Sequence, residues 1–322
     1  MISNSARVRA SIDSHSLSSS PWPHRIAVIL VCATFPLLFI GGLVTSKGVG
    51  LAVPDWPTTF GYNMFLYPWS KMIGGIFYEH SHRLVASFVG LLTIGLAVTF
   101  WLRERRNWLR WLGLAALALV IVQGVLGGLR VVWLEHTLAI MHAATAQVFF
   151  ALTICLAVFT SNEWRASVGT PLRDGGRLRR LCFVTTALIY FQVVFGAILR
   201  HTGERLDAHV VIAVLVALHV ILVAVRVSRH HADSGQLTRP ALLLVFFLMM
   251  QLALGGASYV AKFTALWPAS FDVIVWITTA HLGVGALMLA ASVALTLRAY
   301  RLSVRSIDDR ASKEVLTEQF SV

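Results

Sequence analysis

EHSHRLVASFVGLLTIGLAVTFWLR, residues 79–103, opens on an acid, two histidines and an arginine, then runs apolar to Arg103. Read as a helix, the stretch from His82 to Leu102 is long enough to span about 30 Å of hydrocarbon. His82 stands 21 residues before Arg103. Three further apolar stretches repeat the arrangement: His142 lies 19 residues before Ser161, His209 lies 17 before Arg226, and His281 lies 17 before Arg298. At about 1.5 Å per helical residue, the four imidazoles fall within roughly 6 Å of one plane, some ~25–32 Å from the far ends of their helices. Two bis-histidine metal sites would require that shared depth.

Working outward, 57% of the 322 residues are hydrophobic and 13% charged, with a mean hydropathy of +0.73. That apolar surface exceeds what a soluble core of this size could hide. Eight stretches have spanning length, at Ile26–Thr45, His82–Leu102, Trp111–Val132, Thr137–Thr160, Leu181–Leu199, Ala208–Val225, Pro240–Ala261 and Phe271–Leu297. Each is expected to be helical, because unpaired backbone is too costly in lipid and no stretch alternates as a barrel strand does. The expected fold is therefore an all-α membrane protein of eight transmembrane helices.

A net charge of +12 raises the question of nucleic acid, but the basic residues sort by side of the membrane. With the amino terminus inside, the inner segments hold 20 Lys and Arg, the outer segments 6, and Arg83 completes the 27. The positive-inside rule then puts both termini in the cytoplasm and all four histidines in the outer half of the membrane. Nucleic acid is not an expected partner; lipid is. Cys32, Cys155 and Cys182 all lie within spans and form neither a disulfide framework nor a CxxC site. The serine-rich segment 1–24 suits a transit peptide or a cytoplasmic tail, and the tail is the preferred reading.

The spans repeat in pairs. The third contains Gln123-Gly124-Val125-Leu126-Gly127-Gly128, the fifth Gln192-Val193-Val194-Phe195-Gly196-Ala197, and the seventh Gln251-Leu252-Ala253-Leu254-Gly255-Gly256. The first ends in Gly41-Gly42, with Leu37 in place of the glutamine. Each small pair lies near the outer end of an odd-numbered helix, and the next helix brings one of the four histidines. The expected organisation is two tandem four-helix bundles, 25–160 and 181–299, joined by a cytoplasmic linker 161–180 and flanked by tails 1–24 and 300–322. Small residues let helix backbones approach closely in lipid or leave room for a flat ligand, and both readings stand. The outer loop Ser46–Tyr78, with Pro54-Asp55-Trp56-Pro57, is long enough to cap the first half.

A lone histidine in a membrane helix is most often a hydrogen-bonded structural residue. Four at one depth, one per even helix, instead suggest bis-imidazole ligation of haem iron, with His82 facing His142 and His209 facing His281. His219, about 15 Å deeper than His209, is expected to serve packing, and His80, His136 and His201 are expected at or above the outer surface. Glu79 shares a helix face with His82, so its carboxylate is expected to point at the same ligand and move protons there; the plainer alternative is an acid favoured by the helix N-terminus. Arg83 is read either as a contact to the haem or as a partner for Glu79.

Taken together, Glu79-x-x-His82-Arg83 in the second span, single histidines in the fourth, sixth and eighth, the small pairs and the tandem plan resemble the haem A synthases of bacterial and mitochondrial membranes. The resemblance covers roughly residues 26–297. It implies an oxidoreductase that converts the C8 methyl of haem O to the formyl of haem A by successive hydroxylations and loss of water. It further implies His82 and His142 around the substrate haem, Glu79 as catalytic carboxylate, and His209 and His281 holding haem b. Its implied partners are haem O, a haem O synthase, an electron donor, terminal oxidase assembly factors and a second copy of the chain. Its implied location is the bacterial cytoplasmic (inner) membrane ahead of the mitochondrial one. One departure stands out: many members carry a cysteine pair in the first outer loop, and this loop has none. The alternatives are a dihaem electron carrier, which has no need for a carboxylate in one half only, and a repeat-built transporter, against which the parallel rather than inverted repeats count.

Overall fold

The computed structural model describes residues 20–166 and 175–319. Most of the 1–24 tail, part of the 161–180 linker and the last residues of the 300–322 tail lie outside the described residues. Eight long helices carry the fold: α1 Trp22–Ser46, α2 Gly74–Arg103, α3 Asn107–Trp133, α4 His136–Thr160, α5 Gly175–Thr202, α6 Leu206–His230, α7 Gly235–Phe263 and α8 Phe271–Gln319. All eight include a stretch long and apolar enough to cross a membrane, and the protein is a multi-pass membrane protein. Among the described residues there is no strand, only an isolated bridge between Thr59 and Tyr62.

The helices overrun the expected spans. The largest difference at the site is at α2, which begins at Gly74 rather than His82 and has no acid in its first turn. Glu79 therefore lies beyond the reach of the N-terminal dipole, which acts mainly on the first turn. At the other extreme, α8 continues past Leu297, the expected end.

Short links, residues 134–135 between α3 and α4 and 203–205 between α5 and α6, force antiparallel neighbours. Leu134 and Arg205 take left-handed backbone conformations to make those turns. α1 packs on α2 and α4, and α3 lies between α2 and α4; α5 packs on α6 and α8, and α7 lies between α6 and α8. The two sets of four meet where α8 touches α1 and α4 and where α4 touches α5.

Each set has its own apolar core, and each core lies toward the end of the helices remote from the loop 47–73. Leu30, Leu96, Phe100, Leu109 and Leu156 fill the first; Leu178, Val220, Leu237, Leu244 and Leu295 are in the second. Leu91, Val214 and Met249 instead turn large side chains outward, as lipid-facing helices do. Tight packing at one end leaves the other end of each set for the histidines.

Candidate functional site

The four histidines are seated alike. A Cβ placed on Gly41 would stand 2.9 Å from Cε1 of His82, one on Gly127 3.2 Å from Cε1 of His142, one on Gly196 3.1 Å from Cε1 of His209, and one on Gly255 3.0 Å from Cε1 of His281. Every pair joins an odd helix to the even helix that follows it. The first member of each small pair thus makes room for an imidazole, not directly for a flat ligand. The second member varies: Gly42 faces Thr279 and Leu282, Gly128 lies under the Trp56 indole, and Gly256 meets nothing within 4 Å.

His209 and His281 face one another with ring centroids 6.3 Å apart. Each of the four rings is held by the backbone of the odd helix that seats it, His82 at Leu37, His142 at Gln123, His209 at Gln192 and His281 at Gln251. Nε2 of His209 lies 3.2 Å from the Gln192 amide nitrogen, which would have to yield for ligation through that atom. His82 and His142 lie close enough to act on one another electrostatically. His219 is apart from both pairs, with its Nδ1 2.9 Å from the Leu215 carbonyl one turn back. Two imidazoles brought together in apolar surroundings, from helices that seat them alike, fit a group that takes two nitrogen ligands.

The first pair has a polar roof. Arg83 donates to the carbonyls of Asp55 at 2.7 Å, Val53 at 2.9 Å and Thr58 at 3.1 Å, and to Glu79 Oε1 at 2.9 Å. Glu79 is buried, and its Oε2 accepts the Val53 N–H at 2.9 Å. The loop is also pinned by Arg130, which donates to Gly50 at 3.1 Å, and by Trp56 against Gly128. Asp55 shapes its tip, accepting from Thr58, Phe60 and Gly61. Burial works against the Asp55 charge, but these donors outweigh it and hold the carboxyl below its usual range. The long loop 47–73 is therefore a cap over this end of the first pair, and Arg83 is one of the residues that tie it down.

His80 departs from expectation. It is buried beneath the loop, with Nδ1 3.1 Å from Thr59 Oγ1 and its ring against Tyr67. His201, half-buried at the end of α5, lies close enough to act electrostatically on His142. Two arginines were missed. Arg130 acts on both first-pair histidines and on Glu79's surroundings, and Arg200 acts on His281. Arg130 lies inside the third apolar span and Arg200 one residue past the fifth. An ionisable residue at such depth is itself a signal, which counting them as loop charges discarded.

The family described as COX15-CtaA, cytochrome oxidase assembly protein, matches residues 24–210. That stretch contains Glu79, His82, Arg83 and His142 and just reaches His209; His281 lies beyond it. Among curated relatives, the "Heme A synthase" of Alkalihalophilus pseudofirmus is 29% identical over 184 residues, 56% of this chain and 60% of the relative. That of Shouchella clausii is 30% identical over 188 residues, with the same shares of 56% and 60%. That of Nitrosomonas eutropha is 25% identical over 240 residues, 63% of this chain and 67% of the relative. The chain thus spans about 60% of the length of the first two relatives.

Proposed function

Because the chain belongs to the COX15-CtaA cytochrome oxidase assembly protein family, we propose that it is a haem A synthase, oxidising the C8 methyl of haem O to the formyl of haem A. The supporting observation is the asymmetry of two otherwise similar histidine pairs. Both sit on glycines at the loop end of four helices, yet among the described residues only the first has a buried Glu79–Arg83 ion pair, at 2.9 Å, with the long loop 47–73 pinned to it. A relay of electrons between two haems needs no such carboxylate.

In this reading the protein is two tandem four-helix bundles, residues 25–160 and 181–299, with both termini cytoplasmic and the histidines toward the outer face of a bacterial cytoplasmic membrane. His82 and His142 hold the substrate haem O. Glu79, fixed from one side by Arg83 and from the other by the Val53 N–H, is the group that accepts and returns protons at the reacting methyl. Arg83 positions Glu79 and clamps the loop that keeps water away. His209 and His281 hold haem b, which when bound supplies one-electron redox chemistry. The partners are a haem O supplier, an electron donor, oxidase assembly factors and a second copy of the chain.

Pigment extraction from the purified protein tests this. Haem b together with haem O or haem A is the expected result; haem b alone, with no conversion of added haem O in membranes, would favour the dihaem electron carrier.

A further inference from the structure

Arg200, near the loop end of α5, is half-buried, and its guanidinium is held in place by neutral acceptors. Nη2 donates to the Gly42 carbonyl at 2.7 Å and to the Ser46 hydroxyl, and Nη1 to the Thr278 carbonyl at 3.5 Å. Nε is buried and has no partner. Among the described residues, no Asp or Glu lies within ion-pair distance of Arg200. A guanidinium taken out of water without an anion is strongly disfavoured.

Its place in the fold points to the second histidine pair. Arg200 lies one turn beyond Gly196, the seat of His209, and its acceptor Thr278 lies three residues before His281, so the guanidinium stands on the loop side of the second pair. It acts electrostatically on His281. The first pair has a comparable arginine, Arg130, but that one has Glu79 as an electrostatic partner. Aligning His82 with His209 puts Leu206 where Glu79 stands, and among the described residues none of the acids at that end of the second half, Glu204, Asp207 or Asp272, forms an ion pair with Arg200.

We propose that Arg200 is the anion-recognition point of the second histidine pair, taking a carboxylate side group of the porphyrin that His209 and His281 hold. The proposal rests on the reading of that pair as a haem b site. Nη2 is already oriented by the Gly42 carbonyl and the Ser46 hydroxyl, and Nη1, whose contact with the Thr278 carbonyl is long at 3.5 Å, is the nitrogen left to meet a carboxylate oxygen. Guanidinium and carboxylate match in planarity and charge. A porphyrin bears its two carboxylates on one edge, so recognition at Arg200 sets which edge turns toward the loop end.

The test titrates full-length protein, made haem-free in haem-depleted cells, with haem b and with haem b dimethyl ester, read at the spectral component that His209→Ala removes. Wild-type protein should bind the free acid about ten- to a hundredfold more tightly than the ester. In Arg200→Gln that preference should fall to near one with the ester's affinity unchanged. Equal binding of acid and ester by wild-type protein, which needs no variant to fold, would overturn the proposal. So would an equal loss for both ligands in Arg200→Gln, the mark of an inter-helix clasp alone. Retention of every haem component by His209→Ala would instead overturn the cofactor reading itself.

Discussion

Glu79 and the four histidines carry the proposal at the scale of single residues. Glu79→Gln keeps size and polarity but loses the charge and the proton-transfer capacity. Its expected effect is a fall in haem A formation of about 10²–10⁴-fold with haem b still bound, measured by pigment analysis at matched protein levels; undiminished haem A would remove the carboxylate from the reaction. His209→Ala and His281→Ala should share one phenotype, because losing either imidazole ends bis-imidazole coordination. Substituting a residue that merely supports a metal ligand typically costs 10–100-fold in affinity, so removing a ligand should weaken haem b retention by at least about 100-fold. His219→Ala is the control, since that ring bonds its own helix, and loss of haem b there would refute the pairing. The depth of the four rings was legible as spacing to a polar boundary. The burial of His80 was not, because it depends on Thr59 and Tyr67 in a loop that folds back from outside the span.

Between elements, the recurring unit is a glycine of one helix against an imidazole of the next. Gly255→Val should drive atoms into the His281 ring, since even a Cβ would come within 3.0 Å of Cε1. Overpacking of this kind costs about 1–3 kcal/mol. The expected result is a lower melting temperature together with loss or high-spin conversion of the haem b spectrum. Gly256→Ala, whose added methyl meets nothing within 4 Å, should leave both unchanged. If Gly255→Val keeps a normal low-spin spectrum, the glycine is not what seats the imidazole. The repeat of small pairs was visible in sequence, but which member of each pair meets the ring depends on helix rotation, set by contacts across the whole interface. The start of α2 at Gly74 was not legible in hydropathy, because the polar stretch Glu79–Arg83 cuts Gly74–Tyr78 off from the apolar run that follows.

Across the whole molecule, the distribution of charge makes a prediction about orientation. Ser70 in the capping loop and Asn107 at the start of α3 lie near opposite ends of α2, and both are exposed. Cysteine at Ser70 should react with an impermeant thiol reagent in intact cells, and cysteine at Asn107 only after the membrane is opened; the reverse pattern would invert the proposed topology. Eight spans, their pairing with histidines and the arginine excess at one end were all written in the sequence. Hydrophobic length and charge sorting are properties of local chain composition, set by the bilayer and insensitive to which helix neighbours which. Only the tertiary structure decided that Glu79 and Arg83 join the loop rather than stand free, that glycines seat imidazoles, and that Arg200 reaches α1 and α8 with no ion-pair partner among the described residues. Those are contacts between residues up to 158 positions apart, and their geometry follows from helix rotation and close packing, which no window along one chain contains.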